Sequence, residues 1–170
     1  MKDPRRAACQ KGSAREYEEA FMAYILVVDD DDIVAEYAAK VLIGAGHACG
    51  WVSDAEEAQE LLKKRRPDLI LLDQNMPGEN GTALLRRIRN SQTHFDVPVI
   101  MLTGVQGVKE EQIAYYAGAQ DYIRKPFTDK MLIYRVRETL LSREGRARQS
   151  VRARLTDYED DAGARQARFI

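Results

Sequence analysis

Cysteine is scarce in this 170-residue chain: Cys9 and Cys49 are the only two, and they stand at no motif spacing. Two isolated thiols exclude a small disulfide-stapled scaffold and fit reduced cysteines in a cytoplasmic protein. Long apolar runs are missing too. The longest are strand-sized, well short of the roughly 20 residues that a membrane-spanning helix needs, so no membrane association is expected. The basic opening Met1-Lys2-Asp3-Pro4-Arg5-Arg6 leads into no apolar segment, and a secretory signal is not expected. Nor is there an excess of one charge: a formal net charge of -1 does not argue for nucleic-acid binding. What remains is a soluble globular chain with room for one domain and a sizeable core, plus extensions.

The most informative stretch is Ile25-Leu26-Val27-Val28, which stops in four consecutive acids, Asp29 to Asp32. A short apolar run of this kind reads as a strand buried on both faces of a parallel sheet. Crowded carboxylates at its C-terminal end repel one another unless a cation or proton intervenes, and a hard divalent metal suits them. The competing explanation is capping of the helix that follows, because Asp at the N-cap and in the first turn satisfies free N–H groups and the helix dipole. Capping accounts for Asp31 and Asp32 and leaves Asp29 and Asp30 over. The segment by itself leaves both readings open.

Strand-like runs then alternate with helix-periodic ones. The strand candidates are Tyr24 to Val28, His47 to Val52, Asp68 to Leu72, Val97 to Leu102 and Asp121 to Arg124. The helix candidates are Ile33 to Ile43, Ala55 to Arg65, Thr82 to Asn90, Val108 to Ala117 and Asp129 to Leu141. Apolar stripes support several of these helices: Leu61 and Leu62; Leu84, Leu85 and Ile88; Leu132, Val136 and Leu140. A five-fold β-then-α alternation predicts an α/β fold, a doubly wound parallel sheet with helices on both faces.

Parallel strands point one way, so Asp29 and Asp30, Asp73, Thr103 and Lys125 should converge on one sheet edge, where such folds bind ligands. Three acids, a hydroxyl and an ammonium fit phosphoryl transfer. A carboxylate attacks a phosphoryl group only if the approaching negative charges are neutralised. Magnesium held by Asp30 and Asp73, with Asp29 bound directly or through water, would do most of this. Lys125 and the Thr103 hydroxyl would engage other phosphoryl oxygens, and Gly104 leaves room for entry.

Four segments carry a resemblance: Val27-Val28-Asp29-Asp30, Pro67 to Gly78, Pro98 to Gly104 and Ala117 to Phe127. In order and spacing, from about Ala23 to Leu141, they resemble the signature blocks of the response-regulator receiver domain, in particular the single-domain receivers like the chemotaxis regulator. The resemblance implies a flavodoxin-like five-stranded sheet in the order 2-1-3-4-5. It implies that Asp73 is the phosphoacceptor, charged by a sensor histidine kinase or a histidine phosphotransfer protein. Asp29 and Asp30 match the acidic pair, and the Asn75 backbone carbonyl matches a further ligand to magnesium, with manganese as the alternative ion. Thr103 and Tyr122 match the switch pair. Lys125 matches the family's lysine, with Lys125-Pro126 expected cis.

Other residues have plainer readings. Arg124 should face away from the site as a surface or dimer-contact residue. His94 reads as solvated, Trp51 as packing, and one of Tyr115 and Tyr116 should pack while the other faces out. The loop Gly78-Glu79-Asn80-Gly81 departs from the family, which often has a Met-Asp pair there.

The expected organisation is an N-terminal extension at 1–22, the receiver at 23–142 and a charged tail at 143–170. In the extension, Ser13-Ala14-Arg15-Glu16 has the form of a capping box. The tail is Arg-rich from Arg143 to Arg154 and acidic from Asp157 to Asp161, and Val151, Leu155 and Tyr158 keep helical spacing. About thirty residues cannot hold an output domain of roughly a hundred.

The expectation is therefore a stand-alone cytoplasmic receiver, not a turnover enzyme. Phosphorylation would alter its binding to a protein target, or its dimerisation, through the fourth helix, fifth strand and fifth helix. The alternatives are a fragment of a regulator with a DNA-binding or cyclase output, an aspartyl-phosphate-type phosphatase, and a pseudo-receiver that takes no phosphoryl group. The phosphatase usually places its nucleophile after the first strand, whereas here the candidate ends the third.

Overall fold

The computed structural model describes residues 22–104 and 115–143. The expectations for the N-terminal extension, for residues 144–170 and for most of the helix at Val108 to Ala117 lie outside these. The strands are β1 (Tyr24–Val28), β2 (Ala48–Val52), β3 (Leu69–Asp73), β4 (Val99–Thr103) and β5 (Asp121–Arg124). Three helices, α1 (Asp32–Gly44), α2 (Ala55–Lys64) and α3 (Gly81–Asn90), alternate with the first four strands, and a further helix spans 129–143. All strand pairs are parallel, in the order β2-β1-β3-β4-β5.

Alternation along the strands divides the core into two layers. Leu26, Val28, Ile70, Leu72, Val99 and Met101 face Leu62 of α2 and Leu84, Leu85 and Ile88 of α3. Ile25, Val27, Leu69, Leu71, Ile100 and Leu102 face Ala35, Ala38 and Leu42 of α1, together with Leu132, Val136 and Leu140 of the 129–143 helix. Each fully buried Leu or Ile is stabilised by about 1.5–3 kcal/mol relative to exposure. The β1, β3 and β4 strands are covered on both faces, and for that reason they lack polar alternation.

Local chemistry sets the helix starts. Asp31 is the N-cap of α1 and accepts from the Ile33 and Val34 amides, while Asp32 lies in the first turn, as expected for these two acids. Asp54 caps α2 and Asn80 caps α3 in the same way.

Two strands run further than their apolar residues suggested. β3 includes Asp73 and β4 includes Thr103, because the Gln74 amide still donates to the Leu102 carbonyl and the Lys125 amide to Thr103. Trp51 corrects the packing expectation: it lies on the edge strand β2 and remains 47% exposed. His94 is partly covered, hydrogen-bonded among Ser91 and Thr93. Tyr115 packs edge-on against Tyr122 with ring centroids 5.8 Å apart, and Tyr116 faces out at 91% exposure.

Candidate functional site

Register brings the strand ends together. Val28 pairs with Leu72, Asp73 with Leu102, and Thr103 with Arg124, so Asp29, Asp73, Thr103 and Lys125 share the C-terminal edge of the sheet. The carboxylates of Asp29, Asp30 and Asp73 converge there, with ligand oxygens within 4.8 Å of one another. Asp29 is completely buried, Asp73 nearly so, and Asp30 faces solvent.

Lys125 bridges the two buried acids. Its Nζ lies 2.9 Å from Asp73 Oδ1 and 2.6 Å from Asp29 Oδ2. The other oxygens are held by backbone donors: the Asn75 amide donates to Asp73 Oδ2 and the Asp31 amide to Asp29 Oδ1, each at 3.0 Å. Asp29 Oδ2 is buried without an aligned hydrogen bond, so the ammonium acts on it as a nearby charge. The Lys125-Pro126 peptide is cis, as expected from the resemblance.

Burial pushes the Asp73 carboxyl above the ordinary carboxylate range. The charges of Asp29 and Asp30 add to this, and together they outweigh the opposing pull of Lys125. For Lys125, burial favours the neutral amine, but its close contacts with the Asp29 and Asp73 carboxylates prevail and raise its pKa. One ammonium between two buried carboxylates, with a third carboxylate beside them, leaves the cluster with more negative than positive charge. Its candidate ligand atoms are all carboxylate oxygens, which is the chemistry that a hard divalent cation satisfies. A magnesium ion therefore fits Asp29, Asp30 and Asp73.

Thr103 is buried at the end of β4 beside this cluster, and among the described residues a β-carbon at Gly104 would meet nothing within 4 Å. Tyr122 is half-buried against the α2–α3 layer of the core, and Arg124, two residues on along β5 and on the same face, is exposed with its guanidinium 5.9 Å from the centre of the Tyr122 ring. Asp29, Asp30, Asp73, Thr103 and Lys125 thus lie at the one edge expected of them, and Tyr122 stands further back on β5, paired with Met101.

Two contributors escaped sequence reasoning. Gly81, the first residue of α3, packs so tightly on the end of β3 that a β-carbon there would lie 2.0 Å from the Asp73 carbonyl oxygen. In the sequence Gly81 is visible only as part of the Gly78-Glu79-Asn80-Gly81 loop, without this contact. Arg89 is the other: Nε donates to the Gly118 carbonyl, Nη1 to Phe95 and Val97, and Nη2 to Gln120 Oε1, pinning the segment that leads into β5. Nothing in its sequence setting distinguished it from a solvated arginine on α3.

The model of the response regulator receiver domain matches residues 25–137. Among curated proteins, the phosphate regulon transcriptional regulatory protein PhoB of Pseudomonas aeruginosa is 38% identical over 117 residues, covering 68% of this chain and 51% of PhoB. The DNA-binding response regulator MtrA of Mycolicibacterium smegmatis is 39% identical over 120 residues, covering 71% of this chain and 51% of MtrA. The chain therefore spans about half the length of these relatives. Among solved structures, chemotaxis protein CheY4 of Vibrio cholerae superposes with a TM-score of 0.67 at 28% identity, covering 69% of this chain and 98% of that one. A CheY-like response regulator receiver domain protein of Methanospirillum hungatei superposes with a TM-score of 0.69 at 26% identity, covering 74% and 98%. No described helix is long and apolar enough to cross a membrane. With its 2-1-3-4-5 sheet and the family match over residues 25–137, the chain belongs to the response regulator receiver domain family.

Proposed function

We propose that Asp73 is the phosphoacceptor of a two-component phosphorelay, charged from a phosphohistidine on a sensor histidine kinase or a histidine phosphotransfer protein. The observation that carries this reading is the Asp73 carboxylate itself: nearly buried at the end of β3, it has one oxygen 2.9 Å from the Lys125 ammonium and the other on the Asn75 amide. Transfer forms a bond between an Asp73 carboxylate oxygen and phosphorus and breaks the phosphorus–nitrogen bond, whose electron pair stays on the imidazole.

A magnesium ion bound by Asp29, Asp30 and Asp73, with the Asn75 carbonyl and manganese as the alternative metal, would neutralise the incoming phosphoryl oxygens. Lys125 supplies a fixed positive charge for one oxygen, and the Thr103 hydroxyl donates to another. Burial keeps water from weakening these interactions. The chain is not a turnover enzyme in this reading: it carries the group and loses it by hydrolysis.

Phosphorylation then biases two states through Thr103 and Tyr122. The output is a changed affinity of the face built by β5 and the 129–143 helix for a protein target or a second copy, in the cytoplasm. That face carries exposed Met131 and Tyr134. Incubation with acetyl phosphate and magnesium should add one phosphoryl group, detected by intact mass; an unchanged mass, or a gain that persists in Asp73→Asn, refutes the assignment. Hydrolysis of simple phosphoesters should show no sustained turnover.

The half-length match to PhoB and MtrA favours a second reading of the output, a receiver belonging to a longer regulator with a DNA-binding domain. Reading the gene beyond the Ile170 codon decides between these outputs.

A further inference from the structure

At the opposite edge of the sheet from Asp73, the C-terminal ends of α2 and α3 and the loop after α3 enclose a groove of about 670 Å³. Its rim carries five permanent cations, Lys63, Lys64, Arg65, Arg66 and Arg87, and among the described residues that line it none is acidic. Leu62 and Ile88 form part of its floor.

Basic residues in the last turn of a helix ordinarily complement the helix dipole, and that accounts for Lys63, Lys64 and Arg87 individually. Acids outside the groove also pair with part of the rim: Glu60 with Lys63, Glu79 with Arg87 and Asp96 with Arg66. The Glu60–Lys63 and Asp96–Arg66 pairs are solvent-exposed and weak, while Glu79 is partly covered beside an exposed Arg87. Lys64 forms no close ion pair among the described residues, though it lies near enough to Glu60 to help stabilise that carboxylate, and Arg65 stacks on the Tyr24 ring. Two helix ends and a connecting strand of cations thus converge on one concave surface with more positive charge than its neighbours offset.

The described chain ends beside that surface. Arg143, the last described residue, donates to the Asp68 carbonyl and lies 3.6 Å from Asp96, the same carboxylate that Arg66 engages at 2.6 Å. Thirteen residues separate Arg143 from Asp157, where the sequence turns acidic: Asp157-Tyr158-Glu159-Asp160-Asp161. At up to ~3.3 Å per residue such a connection reaches across a small domain. We propose that this acidic segment docks in the α2–α3 groove of its own chain. Its carboxylates meet the Lys64, Arg65 and Arg87 side of the rim, and Tyr158 offers an aromatic body to the apolar floor.

The attraction is between partly exposed charges, so salt screens it. It is also intramolecular, so protein concentration does not change it. The test uses the full chain without a phosphoryl donor, so that its outcome is independent of the Asp73 assignment. Replacing Asp157→Lys, Glu159→Lys and Asp160→Lys together should shift the backbone amide resonances of Lys64, Arg66, Arg87 and Thr93. Those of Val27, Leu71 and Ile100 should stay in place, confirming an unchanged core. Raising sodium chloride from about 0.05 M to about 0.5 M should move the same groove resonances of the unmodified chain in the same direction. In a Lys64→Glu, Arg87→Glu background, charge reversal in the tail should no longer shift them. Groove resonances that ignore the tail's charge overturn the proposal. So does a shift that grows with protein concentration, which would mean docking between copies.

Discussion

Gly81 and Asp73 are in backbone contact: a β-carbon on Gly81 would sit 2.0 Å from the Asp73 carbonyl oxygen, and the Gly81 amide donates to Gln74 at 3.0 Å. The start of α3 is therefore seated on the end of the strand that presents the candidate phosphoacceptor. Replacement of Gly81→Ala forces one of these two backbones to move, at a cost of about 1–3 kcal/mol. Chemical denaturation should show that loss. Phosphorylation of Asp73 from acetyl phosphate should slow as well, since the carboxylate is displaced with its backbone.

Lys125 is the cation that keeps Asp29 and Asp73 together without metal. The Lys125→Met change leaves two buried carboxylates facing each other, and such unpaired burial costs about 3–5 kcal/mol. The loss should be largest in the presence of a chelator and shrink when millimolar magnesium is added, because the ion replaces the missing charge. Urea unfolding with and without magnesium measures both. A loss that magnesium does not reduce would count against metal binding at these acids.

The raised pKa of Asp73 has a definite sign for stability. The folded state holds the Asp73 proton more tightly than the unfolded state does, so stability from this group is full below the ordinary carboxylate pKa of about 3.9 and declines as pH rises through the elevated folded value. Replacing Asp73→Asn removes that decline. In metal-free buffer the variant should be more stable than the parent near neutral pH, and the difference should fade as pH drops below about 4. Thermal melts across pH test this, and a neutral-pH destabilisation would contradict it.

Arg89 is a structural bolt between α3, β4 and the approach to β5. Its guanidinium meets the Val97, Phe95 and Gly118 carbonyls and Gln120, and Gln120 Oε1 also accepts from the Val99 amide at 2.7 Å. Truncation to Ala strands carbonyls in partly buried positions and should cost about 2–3 kcal/mol. Lysine should rescue little of it, because one ammonium cannot span the fork. Denaturation midpoints of Arg89→Ala and Arg89→Lys, compared with the parent, check both statements.

Much of this protein was legible along the chain. Leu69 to Leu72, uniformly apolar and ending in Asp73, is a strand that only a doubly covered sheet can accommodate, and Asp31 and Asp32 mark a helix start by backbone chemistry that needs no distant partner. Period and punctuation sufficed for the β-then-α order because both are local. The strand ends also placed Asp29, Asp73, Thr103 and Lys125 at one edge, since parallel strands share a direction.

Tertiary structure alone decided what those residues touch. The Lys125 ammonium stands between Asp29 and Asp73, 52 residues from the latter along the chain, and its proton affinity follows from the balance of burial against two carboxylates. Gly81 matters through a carbonyl on another element, and Arg89 through four acceptors scattered over the 95–97 segment before β4 and the 118–120 segment. Side-chain type and spacing specify strands, helices and caps, whose forces act over a few residues. Distances, desolvation and charge balance depend on elements far apart in the chain, and they exist only once the sheet has closed its register.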